Sequence, residues 1–325
     1  MKKQLLLLCL CTIATGFAQS YPPEAEQPGS TAIFKDSPLF VNWATGITVE
    51  RGLINKSNPE ATAGGSNYAT AGTPEAALGY PDGGIVSLGD GGSATLTFAA
   101  PIVDGPGYDF AVFENGSTAY LELAFVEVSS DGVNFFRFPN HSETQVVTQI
   151  GTFGSPQAPY LNNIAGKYAA QYGTPFDLGE IADNDLLDKN NVTYVKVIDV
   201  VGSINPDYAS YDSMGNAVND SFPTPFASCG FDLQAVGVIN REVLGMPDNR
   251  VSGLMMYPNP AKDMLTVIYN RPLDITIYDM AGRTVLLQKA NNNQPVDVSH
   301  LSAGSYNVVA SSGSFSQRLP LVIYK

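Results

Sequence analysis

Carboxylates are the most abundant chemistry-bearing side chains in this sequence, with 31 Asp and Glu against two His and three Cys. Four of them, Asp109, Glu114, Glu122 and Glu127, fall on or beside predicted strands. A pair of such acids flanking a sugar is all that glycoside hydrolysis requires, one as acid and one as base or nucleophile. Their spacing marks out no particular pair. A second oxygen-rich stretch runs from Tyr211 to Asp220 around Gly215. With Asp199 at the end of the preceding predicted strand, Asp212, Asn216 and Asp220 form a candidate site for structural Ca²⁺, which takes roughly six to eight oxygen ligands. The spacing is not that of an EF-hand. The other account of this loop is a run of Asx turns with no metal.

Aromatic rings form the third set. Trp43 is the single tryptophan, and Tyr80, Tyr108, Phe113, Tyr208 and Tyr211 fall at predicted loops or strand ends. Exposed rings stack on sugar faces and planar ligands. We therefore expect a ligand site drawn from Trp43, Tyr80, Phe113, Glu114, Asn115, Tyr208 and Tyr211, with Glu114 placed to bond a hydroxyl. Packing in the core or at its rim is the competing role for these rings.

Other chemistries lack their residues. A Ser-His-Asp triad would have to use His141, in the polar stretch Pro139-Asn140-His141-Ser142, and no Gly-x-Ser-x-Gly turn accompanies it. His300 lies in the C-terminal region. Cys9 and Cys11 lie in the N-terminal apolar run, which leaves Cys229 for the processed chain. That count excludes an intramolecular disulfide and His/Cys transition-metal sites. Cys229 is expected to be a small core residue. No catalytic residue is assigned, and the chain is expected to bind rather than turn over.

The elements that must position these groups are strands. The chain is rich in Gly, Pro, Tyr and Phe and low in charge, as in folds of many short strands joined by turns. Strands are predicted at residues 85–88, 93–98, 109–114, 121–129, 133–138, 192–200 and 231–239. Within 93–98, Ala94, Leu96 and Phe98 share one face and Ser93, Thr95 and Thr97 the other. Gly89-Asp90-Gly91-Gly92 is expected to turn a hairpin, and so is Asp131-Gly132. Residues 139–190 are less regular, with a short helix expected at 182–187 whose Ile181, Leu186 and Leu187 pack inward. The strand count favours an all-β, jelly-roll β-sandwich over residues 19–240.

The first 18 residues have the plan of a secretory signal: Lys2 and Lys3, an apolar run over residues 5–15, then Gly16-Phe17-Ala18 before an expected cleavage. That run is too short to span a bilayer. Charge is uneven: residues 19–250 carry nine Lys or Arg and 27 Asp or Glu, and residues 251–325 carry six and four. An acidic domain without a basic patch argues against nucleic acid and anionic membranes as partners. Residues 241–253, with Gly245, Pro247, Asp248 and Asn249, are expected to link two domains.

From Leu254 the sequence changes character. Tyr257-Pro258-Asn259-Pro260 opens it. Tyr278-Asp279-Met280-Ala281-Gly282-Arg283 follows, then Leu301-Ser302-Ala303-Gly304-Ser305-Tyr306, and the chain ends on Lys325. Several blocks in fixed order across 254–325 resemble the type A C-terminal sorting domain of type IX secretion cargo from Bacteroidetes, a small Ig-like β-sandwich. Pro320 departs from that pattern and suggests an edge strand. The resemblance implies export through the periplasm, then outer-membrane passage by the type IX machinery. It also implies residence outside the cell, released or attached to surface lipopolysaccharide.

The first domain carries the phrases Gly83-Gly84-Ile85-Val86-Ser87-Leu88-Gly89, Asp109-Phe110-Ala111-Val112-Phe113-Glu114-Asn115, Phe125-Val126-Glu127-Val128-Ser129-Ser130-Asp131-Gly132 and Gly230-Phe231-Asp232-Leu233. These resemble galactose-binding-like jelly rolls of secreted proteins. That resemblance implies a glycan ligand and a structural calcium. Similar surface proteins also suggest cobalamin capture beside a TonB-dependent receptor.

Overall fold

A computed structural model describes residues 20–241, 254–268, 272–280, 282–290, 294–312 and 315–325. The predicted signal segment and most of the predicted linker lie outside the described residues. The chain divides into two compact units, Met1–Glu242 and Val243–Lys325.

Eight strands carry the plan of the first unit: β1 (Val86–Ser87), β2 (Ser93–Ile102), β3 (Phe110–Glu114), β4 (Ala124–Ser129), β5 (Phe136–Arg137), β6 (Tyr172–Phe176), β7 (Val192–Asp199) and β8 (Asp232–Val238). They pair antiparallel as first with eighth, second with seventh, third with sixth and fourth with fifth. That nesting is a long hairpin rolled into two sheets, the double Greek key of a jelly roll. One sheet runs β6-β3-β8, with β1 also on β8, and the other runs β2-β7-β4-β5. The short strands Ile33–Phe34 and Asn42–Trp43 extend the first sheet, and Gly46–Glu50 extends the second.

Inward side chains of both sheets build one core. Leu96, Val126, Val128, Val195 and Val197 of the second sheet meet Phe110, Val112, Leu233 and Val236 of the first. The predicted alternation in β2 holds in part: Ala94 and Leu96 are fully buried and Thr95 and Thr97 half-buried, but Ser93 is buried with the first pair and Phe98 is only half-buried. Strand β3 is buried on both faces, because Ala111 and Phe113 pack outward against Ala235, Phe40 and Trp43.

Two local expectations are corrected. The Gly89–Gly92 loop closes no hairpin: β1 pairs with β8 while β2 pairs with β7, so this loop crosses between sheets. Gly89, at φ +75°, supplies a turn that local sequence cannot distinguish from a hairpin. The helix expected at 182–187 is absent. Asn184 closes an Asx turn there, its Oδ1 accepting the Leu186 N–H (2.9 Å) and its carbonyl the Leu187 N–H (3.0 Å). Ile181 and Leu187 are buried as expected, whereas Leu186 points to solvent. The Asp131-Gly132 turn does join a hairpin, pairing Glu127 with Arg137 and Val128 with Phe136.

The second unit is a small antiparallel sandwich. Strands Met255–Tyr257, Met264–Ile268 and Pro295–Asp297 form one sheet. Leu273–Tyr278, Thr284–Ala290, Gly304–Ser312 and Phe315–Ile323 form the other. Leu265, Val267, Ile275, Ile277, Val308 and Leu321 fill the space between them. Pro320 lies on the edge strand, where its missing N–H breaks no ladder.

Candidate functional site

At one end of the first sandwich, Glu114, Glu122 and Asp232 line a cleft of about 320 Å³. The fold brings them there from three directions. Glu114 is the last residue of β3, and Asp232 is the first of the neighbouring strand β8, beside Ser87 of β1. Glu122 sits in the segment entering β4. That segment is pinned by the Leu121 N–H on Ser155 Oγ (3.0 Å) and the Leu123 N–H on Asp220 Oδ2 (2.9 Å). Tyr120 lies beside Glu122, and Phe153 and Phe226 stand at the rim with ring centroids 5.9 Å apart and planes 29° from parallel.

Glu114 is 1% exposed. Its Oε2 accepts the Gly116 N–H at 2.6 Å, while its Oε1 is buried without a partner. A buried acceptor left unbonded is costly, so it marks a place where a donor belongs. Gly116 is required for this arrangement, because a Cβ there would lie 2.4 Å from Oε2 and 2.7 Å from the Tyr120 carbonyl. Asp232 bonds the Ser87 hydroxyl.

Burial and mutual repulsion set the electrostatics. Burial holds the Glu114 carboxyl well above the usual range, and nearby Asp232 adds to it. Glu122 is raised by burial, then by Glu114, Asp232 and Asp220. Asp232 is pushed up to about 6 by burial, against the pull of Ser87 and Arg51. Tyr120 is pushed up to about 12 by burial and Glu122. Arg51, the cation acting on Asp232, already donates to the carbonyls of Ala71, Gly72 and Ser87, each at 2.8 Å. Among the described residues, none of the three carboxylates forms an ion pair.

The predicted candidates divide among several places. Of the four acids considered for a pair, Glu114 and Glu122 share this cleft. Asp109 instead accepts from Gly105, Leu178 and the Asn240 amide, and Glu127 pairs with Arg137 at 2.8 Å. Asn115 lines the cleft and accepts a hydrogen bond from Gln234 (3.3 Å). Trp43, Tyr80 and Phe113 form a separate ring cluster, with Trp43 5.5 Å from Phe113 and 5.6 Å from Tyr80. Phe113 there is fully buried as packing. Tyr208 and Tyr211 border another depression, with Lys56, Phe125 and Arg137.

The carboxylates expected to bind calcium do not converge on a metal-sized point among the described residues. Asp199 accepts the N–H groups of Gly91 (2.8 Å) and Phe231 (2.7 Å). Asp220 accepts those of Leu123 and Ser221. Asp212 accepts those of Ser142, Met214 and Asn216, together with the Asn216 amide. Each of these carboxylates serves a separate backbone segment, so the expected calcium donors are not assembled at one point among the described residues. Asp199 and Asp220 instead hold the segments carrying Asp232 and Glu122. The one metal-sized acidic group among the described residues is Asp104, Asp109 and Asp177, where the Asp109 oxygens already accept three hydrogen bonds.

His141 shares a 2.6 Å hydrogen bond with Tyr21, and among the described residues no serine hydroxyl bonds it. Cys229 is fully buried, and burial raises its thiol. Sequence reasoning missed Tyr120, Asp232, Phe153 and Phe226 as site residues. Asp232 lies in the stretch Gly230-Phe231-Asp232-Leu233, but the two phenylalanines come from separate loops with no local signal.

No curated protein shows a significant match to the chain. Among solved structures, a Faecalibacterium prausnitzii β-glucuronidase is similar at 11% identity and a TM-score of 0.25, over 87% of this chain and 45% of that one. A Parabacteroides merdae β-glucuronidase gives 10% and 0.24, over 87% and 36%. A biofilm-associated protein BSP domain gives 11% and 0.19, over 86% and 52%. The chain thus spans about half or less of each, and likeness at this level carries no argument about function.

The C-terminal unit is different. Its motif residues make specific contacts: Asn259 Oδ1 accepts the Val322 N–H and its amide donates to the Pro320 carbonyl, both at 2.9 Å, clamping the last strand. Arg283 pairs with Asp279 at 2.7 Å across the turn containing Gly282. The Tyr306 hydroxyl donates to the Ser302 carbonyl (2.9 Å), just ahead of the strand that opens at Gly304. Lys325 donates to the Ser299 carbonyl at 2.7 Å. Tyr257, Pro258 and Pro260 flank this clamp, with cis bonds at Tyr257-Pro258 and Asn259-Pro260. No helix among the described residues is long and apolar enough to cross a membrane. The family model for the secretion system C-terminal sorting domain matches residues 255–323. The C-terminal unit is therefore a type IX sorting domain, and its presence makes the chain a cargo of that system, exported to the cell surface or beyond.

Proposed function

We propose that the first domain is an extracellular glycan-binding module, carried outside by the sorting domain and there released or held at surface lipopolysaccharide. The observation that supports this reading is the unpartnered, buried Glu114 Oε1 in a cleft rimmed by Phe153 and Phe226. Carboxylates accept from sugar hydroxyls, and aromatic rings pack against the apolar face of a pyranose. The volume of about 320 Å³ lies at the small end of ligand sites. It favours one or two sugar units over a corrinoid macrocycle, so cobalamin serves as the negative control.

A glycan array probed with the full chain, followed by calorimetry on the hits, tests this. Binding should weaken at least tenfold in Glu114→Gln, about what one charge-assisted hydrogen bond contributes. Retention of full affinity would place the ligand elsewhere.

One observation favours a second reading. Glu114 and Glu122 share the cleft, and a carboxyl raised by burial suits the general acid of a carboxylate-pair glycoside hydrolase, whose partner must ionise to act as base or nucleophile. That reading requires release of reducing ends by the wild-type chain and their loss in Glu122→Gln. Binding without turnover rejects it.

A further inference from the structure

The charge balance of the cleft specifies its ligand further, granted the glycan reading above. Glu114 and Glu122 are 1% and 8% exposed, Asp232 stands beside them, and none of the three is ion-paired among the described residues. Arg51 acts on Asp232, but its guanidinium is occupied by three backbone carbonyls. Burial lets these acids avoid repulsion only by holding protons, and a neutral sugar, which brings hydroxyl donors and no charge, would leave them protonated rather than ionised. Burying unpaired charge is unfavourable, and a ligand that carries the opposite charge removes the penalty.

Two kinds of cation are candidates, and the geometry separates them. A bare metal ion needs oxygens converging on one point. Among the described residues these three carboxylates form no such group, although Asp104, Asp109 and Asp177 do. The cleft is also far larger than an ion, and two of its walls are phenyl rings. Rings offer a metal no ligand, but they suit an organic cation and the ring that carries it. A primary ammonium provides three donors on one positive charge, which suits the free Oε1 of Glu114 and the neighbouring Glu122. Phe153, 80% exposed, then supplies a face for the sugar.

We propose that the cleft recognises a glycan bearing a free, protonated amine: a hexosamine unit without its N-acetyl group. The ammonium sits between Glu114 and Glu122, and the pyranose lies against Phe153 and Phe226.

The test is calorimetry on the full chain at pH 7 with two matched probes, a glucosamine oligosaccharide and its fully N-acetylated counterpart. The amine form should bind at least tenfold more tightly. Glu114→Gln should erase that preference, while Phe153→Ala should weaken both probes and keep it. If Glu114→Gln fails to melt cooperatively, Glu122→Gln carries the same expectation. Equal affinity for the two probes would overturn the amine inference and leave the glycan reading standing. Binding of neither would overturn both. Ethanolamine binding as tightly as the oligosaccharide would retain the cation and remove the glycan reading. Loss of amine binding in millimolar calcium, with calcium itself binding at Glu114, would overturn the inference in favour of a metal.

Discussion

Two acid-rich regions of the first domain look alike in sequence and behave oppositely in the fold. In the loop around Asp212, carboxylate oxygens accept backbone N–H groups, and these bonds bring Asp212 below the usual carboxylate range despite partial burial. In the cleft, Glu114 and Glu122 are buried with few donors, and both rise well above it. Donors alone do not set the difference, since Asp199 and Asp220 accept two backbone N–H groups each and still rise through burial; the balance of burial against donors separates these acids, not residue type or local spacing.

The largest expected effect tests the structural half of that contrast. Asp199→Ala orphans the buried N–H groups of Gly91 and Phe231 and should cost roughly 2–5 kcal/mol, read by denaturant unfolding. A loss under 1 kcal/mol would mean that these bonds do not hold the loops.

The next concerns pH. Burial raises Asp90 and Asp232 to about 6 and Asp220 to about 7, and raises Glu114, Glu122 and Asp199 in the same direction, with Lys56 and Arg51 as the opposing cations. The unfolded groups ionise near pH 4. Between these values the folded state holds protons that the unfolded state has lost, so stability falls as pH rises. The contribution of these raised acids is full below about pH 4 and lost as pH rises through about 6 to 7. The melting temperature of the first domain should therefore be higher at pH 5 than at pH 8, measured by scanning calorimetry. A saturating cationic glycan should shrink the gap, and an opposite slope would show that the cleft acids are already neutralised.

The smallest effect sharpens the contrast at the rim. Phe153→Ala removes an exposed ring and should change stability by no more than about 0.5 kcal/mol, while lowering glycan affinity several-fold by calorimetry. Equal losses in both would make Phe153 a packing residue.

Much of the fold was legible. The alternation of residues 93–98 reports a strand with one wet face, and Asp131-Gly132 reports a hairpin, because both depend on neighbours in sequence. The Gly89–Gly92 turn was legible as a turn but not in its destination, since nesting β1 with β8 and β2 with β7 depends on strands about 100 residues away or more. The sorting domain was the clearest part, because its motif blocks stand in a fixed order along the chain, even though contacts such as Asn259 with Val322 join its two ends.

The site was half legible. Glu114, Asn115 and Glu122 were named as candidates, but Asp109 and Glu127 look the same in one dimension. The sequence by itself determined the strand pattern, the acidic character of the first domain and the export tail, because composition, period and motif order are local properties. Only the tertiary structure decided which acids receive backbone N–H groups and which are left to face one another. It also brought Phe153 and Phe226 to the same rim. Those outcomes depend on distances across the sandwich, which no run of neighbouring residues encodes.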